Sequence, residues 1–128
     1  MMGVKSMNNN TEKNISGNFN ISKEIKLGMG DNGNQIKINK GQMLVITFEA
    51  NPTTGYTWEV AELNANVLRQ VGEIEFHPES NKIGSGGVQT LRIEAVNMGQ
   101  TSLKLAYHRP WEKDVEPLKT FSLQVVIQ

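Results

Sequence analysis

Residues 101–107 read TSLKLAY and residues 121–127 read FSLQVVI, and a polar segment with two prolines lies between them. Apolar and polar side chains alternate in both stretches. The apolar positions are Leu103, Leu105 and Tyr107 in the first stretch and Phe121, Leu123, Val125 and Ile127 in the second. A period of two is typical of β-strands that bury one face. These stretches therefore predict two strands joined by a loop.

The same period recurs upstream, in residues 36–38, 44–48, 56–60, 74–76 and 91–95. Seven or eight short strands separated by turn residues predict an all-β protein, either an antiparallel sandwich or a barrel. The one candidate for a helix, Leu63–Leu68, is at most about one turn long. Trp58 alternates with its strand neighbours, which predicts a core position.

Composition limits the function classes. The 128 residues are enough for one domain, predicted over residues 19–128, and the Asn- and Ser-rich residues 1–18 predict a disordered leader. Thirteen basic and 13 acidic residues leave no net charge, which argues against a nucleic-acid or membrane-surface partner. A complete chain of this kind would be cytoplasmic; a chain whose signal peptide had been removed would be secreted or lumenal.

Strand direction brings three loops together. If successive strands run antiparallel, the loops over residues 50–55, 77–87 and 108–118 all lie at one end of the domain. These are the connections richest in Pro and Gly, and recognition loops of sandwiches cluster in this way. We therefore expect this end to carry the function.

The first loop reads Asn51-Pro52-Thr53-Thr54-Gly55-Tyr56. The proline restricts its own φ and holds Asn51 extended, while Gly55 permits a positive φ at the exit. Two threonines are then exposed at the tip. An ordinary turn connection between two strands explains the same residues and stays open on this pattern alone.

The second and third loops carry Gly84-Ser85-Gly86-Gly87 and Arg109-Pro110-Trp111. The glycine-rich stretch is either a flexible connector or bare backbone that can pair with another protein. Trp111 lies beyond the end of a strand beside an arginine, and these two residue types are frequent binding hot spots. The alternative is a tryptophan folded back over the end of the sandwich.

Catalytic and metal-binding sets are poorly supported. The chain has no cysteine, and its histidines are His77, expected in a surface loop, and His108. His108 with Glu112 or Asp114 is a weak zinc set, and no calcium-loop pattern occurs. The sequence therefore predicts no cofactor and no metal.

Together, in this order and spacing, the three loop motifs and Trp58 resemble the chagasin family of cysteine-peptidase inhibitors over about residues 20–128. The resemblance implies an immunoglobulin-like sandwich, here expected to be monomeric, that inhibits papain-like cysteine peptidases reversibly. It implies that Asn51–Tyr56 enters the catalytic cleft, with Thr53 and Thr54 nearest the Cys–His pair. Gly84–Gly87 would pair by backbone along one side, and Arg109–Trp111 would grip the other side with the Trp ring against an aromatic wall.

Two further functions stay open on the sequence. A carbohydrate-binding module would stack Trp111 and Tyr107 on sugar rings. An enzyme is the least supported class, because the sequence shows no plausible catalytic cluster.

Overall fold

The computed structural model describes residues 23–128, so the predicted leader over residues 1–18 lies outside the described residues. These 106 positions contain nine strands: β1 (Glu24–Leu27), β2 (Gln35–Ile38), β3 (Met43–Ala50), β4 (Thr57–Glu62), β5 (Leu68–Gln70), β6 (Glu75–Pro78), β7 (Gly87–Ala95), β8 (Gly99–His108) and β9 (Lys119–Ile127). Within this part of the chain, no helix is long and apolar enough to cross a membrane.

The strands form a sandwich of two sheets. One sheet has the order β2-β9-β8-β4. The other has the order β1-β3-β7, and both β5 and β6 pair with the free edge of β7. The prediction of an all-β immunoglobulin-like sandwich is confirmed. The pairing is not purely antiparallel, because β1 pairs with β3, and β2 with β9, in parallel.

Two local predictions were wrong, and a third was confirmed. No strand was predicted between residues 60 and 74, yet Leu68–Gln70 forms β5, because Leu68 is buried and its strand pairs with the end of β7. The suggested single turn at Leu63–Leu68 is present, because the Val67 and Leu68 N–H groups both donate to the Asn64 carbonyl, at 3.1 and 2.9 Å, but it does not extend into a helix. The two short 3-10 segments of the described chain are Met29–Asp31 and Pro52–Thr54. His77 lies on β6 and not in a loop, although it is exposed as expected.

The core lies between the sheets and is made by the alternating positions predicted from the sequence. On β9 its members are Phe121, Leu123, Val125 and Ile127, and on β8 they are Leu103, Leu105 and Tyr107. Trp58 is 2% exposed, and its ring stacks on Phe48 with the centroids 4.1 Å apart. Burial of apolar side chains on this scale, about 1.5–3 kcal/mol for each large one, is what holds the two sheets together.

The strand directions place three connections at one end of the sandwich, as predicted. β3 and β7 are antiparallel, and β8 is antiparallel to both β4 and β9. The first loop (residues 51–56), the second loop (79–86) and the third loop (109–118) therefore share what we call the loop end. The first loop crosses from one sheet to the other, because β3 and β4 belong to different sheets. It consequently lies between the second loop, on the β7 sheet, and the third loop, on the β8 sheet.

Candidate functional site

The first loop is stiffened by its own side chains. Asn51 is extended (φ −138°), and its Oδ1 accepts hydrogen bonds from the Thr53 backbone N–H (3.2 Å) and hydroxyl (2.6 Å). The Thr54 hydroxyl donates to the Asn51 carbonyl at 2.6 Å. Asn51 thus caps a 3-10 turn that starts at Pro52, the arrangement that Asn before Pro favours. Both threonines are exposed at the tip, as the sequence predicts.

The exit of the first loop is seated against Trp111. Gly55 has φ +86°, which confirms the predicted positive φ. The Trp111 ring lies so close that a Cβ built on Gly55 would be 2.3 Å from its Cη2. The ring is nevertheless 65% exposed, so it covers the glycine on one side and faces solvent on the other. The tryptophan is thus folded back over the first loop, as the alternative had it, but it is not buried in the core.

Arg109 braces the first and third loops. Its Nε donates to the Thr54 carbonyl at 3.0 Å, and its guanidinium lies 4.5 Å from the centroid of the Tyr56 ring. Its Nη1 is 3.5 Å from a carboxylate oxygen of Glu112. These three contacts are intramolecular, so the arginine orders the loop end from within. The sequence did not indicate this role, because a contact across 55 residues leaves no local pattern.

The second loop is tied to the first by one side chain. Asn51 Nδ2 donates to the Gly84 carbonyl at 3.2 Å, and Gly84 has φ +83°. Within the second loop, the Ser85 N–H donates to the Lys82 carbonyl, and the Glu79 N–H donates to the Gly86 carbonyl. The loop is therefore a closed, internally bonded unit.

The four residues of the glycine-rich motif lie in different surroundings. Gly84 is exposed, and Ser85 and Gly86 are half-buried. Gly87 is buried at the start of β7, where its backbone is flanked by β3 and β6, and a Cβ there would lie 2.2 Å from the His77 carbonyl oxygen. The close packing of the sheet thus explains Gly87, and its backbone already pairs within the fold.

Tyr107 supports the loops from below. Its ring is 7% exposed and lies against Tyr56 and Trp58, with centroid distances of 5.3 and 5.2 Å. Its hydroxyl accepts a hydrogen bond from the Asn51 N–H at 3.1 Å. The alternative in which Tyr107 stacks on a sugar ring does not fit this position, because the ring is covered by its neighbours. The sequence did indicate that Tyr107 is buried, because it alternates with Leu103 and Leu105 on β8.

Charges lie around the loop end without forming a catalytic set. His108, the last residue of β8, has its Nε2 2.7 Å from Glu59 Oε1 on the neighbouring strand.

Away from the loops, on β6, Glu75 Oε1 accepts a hydrogen bond from Arg92 Nη1 at 3.3 Å. That hydrogen bond, with the positive charge of Arg92 and a weaker contribution from His77, lowers the pKa of the Glu75 carboxyl.

The sequence did not single out several exposed apolar side chains of the second and third loops. Val115 and Leu118 are each 58% exposed in the third loop, and Ile83 is fully exposed in the second. Their only sequence signal is an isolated apolar residue within a polar, proline- or glycine-containing segment. They extend the apolar surface of the loop end beyond Trp111.

The fold and the loop end together define a class: an immunoglobulin-like sandwich with three mutually bonded loops at one end, which is the architecture of a binding protein. A family model described as Chagasin family peptidase inhibitor I42 matches residues 37–125. The chain belongs to the chagasin family of peptidase inhibitors, so it is an inhibitor and not an enzyme.

Individual relatives agree with this assignment. Amoebiasin-2 of Entamoeba histolytica is 32% identical over 95 residues, which cover 73% of this chain and 76% of that protein. Amoebiasin-1 of the same organism is 32% identical over 106 residues, covering 81% of this chain and 100% of that protein. The crystal structure of the cysteine protease inhibitor EhICP2 from Entamoeba histolytica superimposes with a TM-score of 0.72 at 28% identity, covering 82% of this chain and 96% of that chain.

Proposed function

We propose that this chain inhibits papain-like cysteine peptidases by lodging the first loop in the catalytic cleft, with the second and third loops against the two sides. The observation that carries the proposal is the bonding among the loops. Asn51 holds the second loop through Gly84, and Arg109 holds the first loop through Thr54. The exposed Thr53–Thr54 tip therefore projects from a single braced surface.

Inhibition of this kind requires no chemistry by the inhibitor. The tip occupies the space that a substrate needs, and no covalent bond to the peptidase forms or breaks. Because the loops are ordered before binding, little conformational entropy is lost; immobilising a free side chain costs about 0.5–1.5 kcal/mol. Three loops can bury the roughly 1,600 Å² that is usual for protease–inhibitor interfaces.

The division of the predicted contact residues follows from where they lie. Thr53, Thr54 and Trp111 are exposed at the loop end and are proposed to touch the peptidase directly. The same surface is proposed to be lined by five further residues: Pro52, Gly84, Ser85, Gly86 and Pro110. Four residues are proposed to act mainly by positioning those groups: Asn51, Gly55, Tyr56 and Arg109. Gly87 is proposed to act by allowing the close packing of the sheet beneath them.

Two substitutions at the tip test the proposal. Thr54→Ala removes one hydroxyl and its hydrogen bond to Asn51, so the inhibition constant for papain should rise by no more than about tenfold. Thr54→Glu adds bulk and a charge that a closed cleft must desolvate, so inhibition should weaken at least another tenfold, roughly. Ala65→Glu is the matched control, because it places the same charge on an exposed residue at the opposite end.

The assay is hydrolysis of a small peptide substrate by papain at several inhibitor concentrations. The wild-type chain should raise the apparent KM and leave kcat unchanged. A lower kcat with an unchanged KM would contradict occlusion of the cleft. Equal inhibition by the wild-type chain and Thr54→Glu would show that the tip lies outside the cleft.

A further inference from the structure

Gln89 is a buried polar side chain at a position where the pattern of its strand predicts an apolar one. On β7 it alternates with Leu91 and Ile93, which lie in the core, so its side chain points between the two sheets. It is 7% exposed. Burying an amide group without hydrogen bonds is costly, so the partners of this side chain indicate what it does.

The Gln89 amide bridges the two sheets. Its Oε1 accepts a hydrogen bond from the Trp58 backbone N–H at 3.0 Å, and its Nε2 donates one to the Thr57 hydroxyl at 2.8 Å. Gln89 belongs to the β7 sheet, whereas both partners lie on β4, the edge strand of the other sheet. The Trp58 N–H thus finds its partner in the opposite sheet and not in a neighbouring strand.

The bridge lies directly beneath the loop end. Thr57 immediately follows the first loop, and Gln89 lies two residues after Gly87, the last residue of the glycine-rich motif. Strand pairing within each sheet already fixes neighbouring loops, since Ala50 is opposite Gly87 and the start of β4 is opposite His108. Between the sheets, apolar packing is non-directional, whereas a hydrogen bond fixes both distance and direction. The Gln89 amide therefore sets how far the second loop lies from the exit of the first.

Two other hydrogen bonds join the sheets near the loop end. Trp58 Nε1 donates to the Glu49 carbonyl at 3.4 Å, and the Asn51 N–H donates to the Tyr107 hydroxyl at 3.1 Å. Each is a single bond and is longer than either bond of the Gln89 amide, which holds two consecutive residues of β4.

We infer that Gln89 is a positioning residue for inhibition: by bridging β7 and β4, it holds the loops of the two sheets at the spacing that the peptidase cleft requires. This inference rests on the proposed function. Without the bridge, the two sheets can shift relative to each other at the loop end, and binding must then restore their spacing. The affinity for the peptidase therefore falls although no residue proposed to touch the peptidase has changed.

The test is Gln89→Met, which keeps the length of the side chain and removes both hydrogen bonds. The inhibition constant for papain at 25 °C should rise about 5- to 50-fold, as expected when one or two further side chains must be ordered on binding. The Trp58 N–H should exchange faster with deuterium, because its partner is gone. The melting temperature should also fall, by about 5–15 °C, because a buried N–H is left unpaired.

Gln89→Glu is the rescue variant. One carboxyl oxygen can accept from the Trp58 N–H, and the other can bond to the Thr57 hydroxyl, which rotates to suit its partner. Inhibition of papain and slow exchange of the Trp58 N–H should therefore largely return.

Gln42→Met is the matched control. Gln42 is 8% exposed, and its Oε1 accepts a hydrogen bond from the Asn39 N–H at 2.7 Å. It lies in the turn between β2 and β3, at the opposite end from the loops. This variant should also melt below the wild-type chain, but its inhibition constant for papain should stay within about twofold of the wild-type value.

Thr57→Val is a milder perturbation of the same bridge and serves if Gln89→Met does not fold. It removes the bond between Gln89 Nε2 and the hydroxyl and keeps the bond to the Trp58 N–H. The inhibition constant should rise by about 2- to 10-fold, since one of the two bonds is lost.

The outcomes separate this inference from the proposed function. If the wild-type chain inhibits papain and Gln89→Met and Thr57→Val inhibit it equally well, the bridge does not position the loops. Equal losses of inhibition in Gln42→Met and Gln89→Met would show that the loss follows from lower stability alone. Restored protection of the Trp58 N–H in Gln89→Glu without restored inhibition would also overturn the inference. If the wild-type chain does not inhibit papain, the proposed function fails and the inference fails with it.

Discussion

Replacing Gly55 by alanine should damage the chain in two separable ways. Gly55 has φ +86°, a conformation that costs a residue with a Cβ about 1–2 kcal/mol. For a domain of this size, that loss in the free energy of unfolding lowers the melting temperature by about 4–8 °C per kcal/mol. We therefore expect Gly55→Ala to melt roughly 5–15 °C below the wild-type chain.

The second effect concerns the Trp111 ring. The new Cβ would lie 2.3 Å from Cη2 and 3.0 Å from Cζ2, distances at which the ring must move. Under the proposed function, a displaced ring would no longer lie where it is expected to meet the peptidase. Losing an aromatic anchor typically reduces binding by about 1–3 kcal/mol, which corresponds to roughly a 5- to 150-fold rise in the inhibition constant.

Gly41→Ala separates the two effects. Gly41 has a similar conformation, φ +95°, but a Cβ there meets nothing within 4 Å, and it lies in the turn before β3 at the opposite end from the loops. It should therefore lose stability as Gly55→Ala does and inhibit papain as the wild-type chain does. Thermal unfolding by circular dichroism and inhibition at 25 °C, well below both transitions, provide the two measurements.

Two results would refute this reasoning. If Gly55→Ala inhibits papain as well as Gly41→Ala does, the position of the Trp111 ring is irrelevant to binding. If Gly55→Ala melts at the wild-type temperature, the loop adopts another backbone conformation and the contact between Gly55 and Trp111 does not exist in solution.

Three further predictions concern the anchor, the leader and acid stability. Trp111→Ala should raise the inhibition constant for papain about 5- to 150-fold while the melting temperature hardly changes, because the ring is largely exposed; unfolding of the variant would place the ring in the core. Removing residues 1–18 should leave the melting temperature within a few degrees and inhibition unchanged, and a large loss of either would show that the leader packs on the domain. The hydrogen bond from Arg92 lowers the pKa of the Glu75 carboxyl in the folded chain. The ionised carboxylate should therefore stabilise the fold at pH values above its ordinary pKa near 4.5, and this stabilisation should be lost as the pH falls through the lowered pKa. Glu75→Gln should therefore show less loss of stability between about pH 5 and 3 in urea unfolding, and parallel curves for the two proteins would contradict this.

Much of the fold could be predicted because the longest strands bury one face. On β8 from Leu103 and on β9 from Phe121, every second side chain lies in the core, so the period of two appears directly in the sequence. β5 escaped prediction because three residues are too short to show a period. The parallel pairing of β1 with β3 also escaped, because pairing depends on where the chain crosses between sheets and not on a local pattern.

The sequence predicted where the candidate site lies, but not which of its residues position the loops and which are exposed for contact. Proline, glycine and threonine in the first loop indicated a stiff turn with an exposed tip, and the structure contains one. The roles of Arg109 and Tyr107 depend on contacts with residues about 50 positions away, which no local pattern encodes. Gly87 belongs to a motif that reads as a loop, yet the nearby His77 carbonyl is what requires a glycine there.

If the loop end blocks the cleft without reacting with it, binding does not depend on the thiol of the peptidase. The most direct test is calorimetric titration of the chain into papain whose active-site cysteine has been S-methylated. We predict one-to-one binding, with an affinity within about tenfold of that for unmodified papain, because a methyl group adds little bulk beneath the Thr53–Thr54 tip. Loss of binding to the methylated enzyme would contradict the claim, since it would show that the complex depends on a reactive thiol.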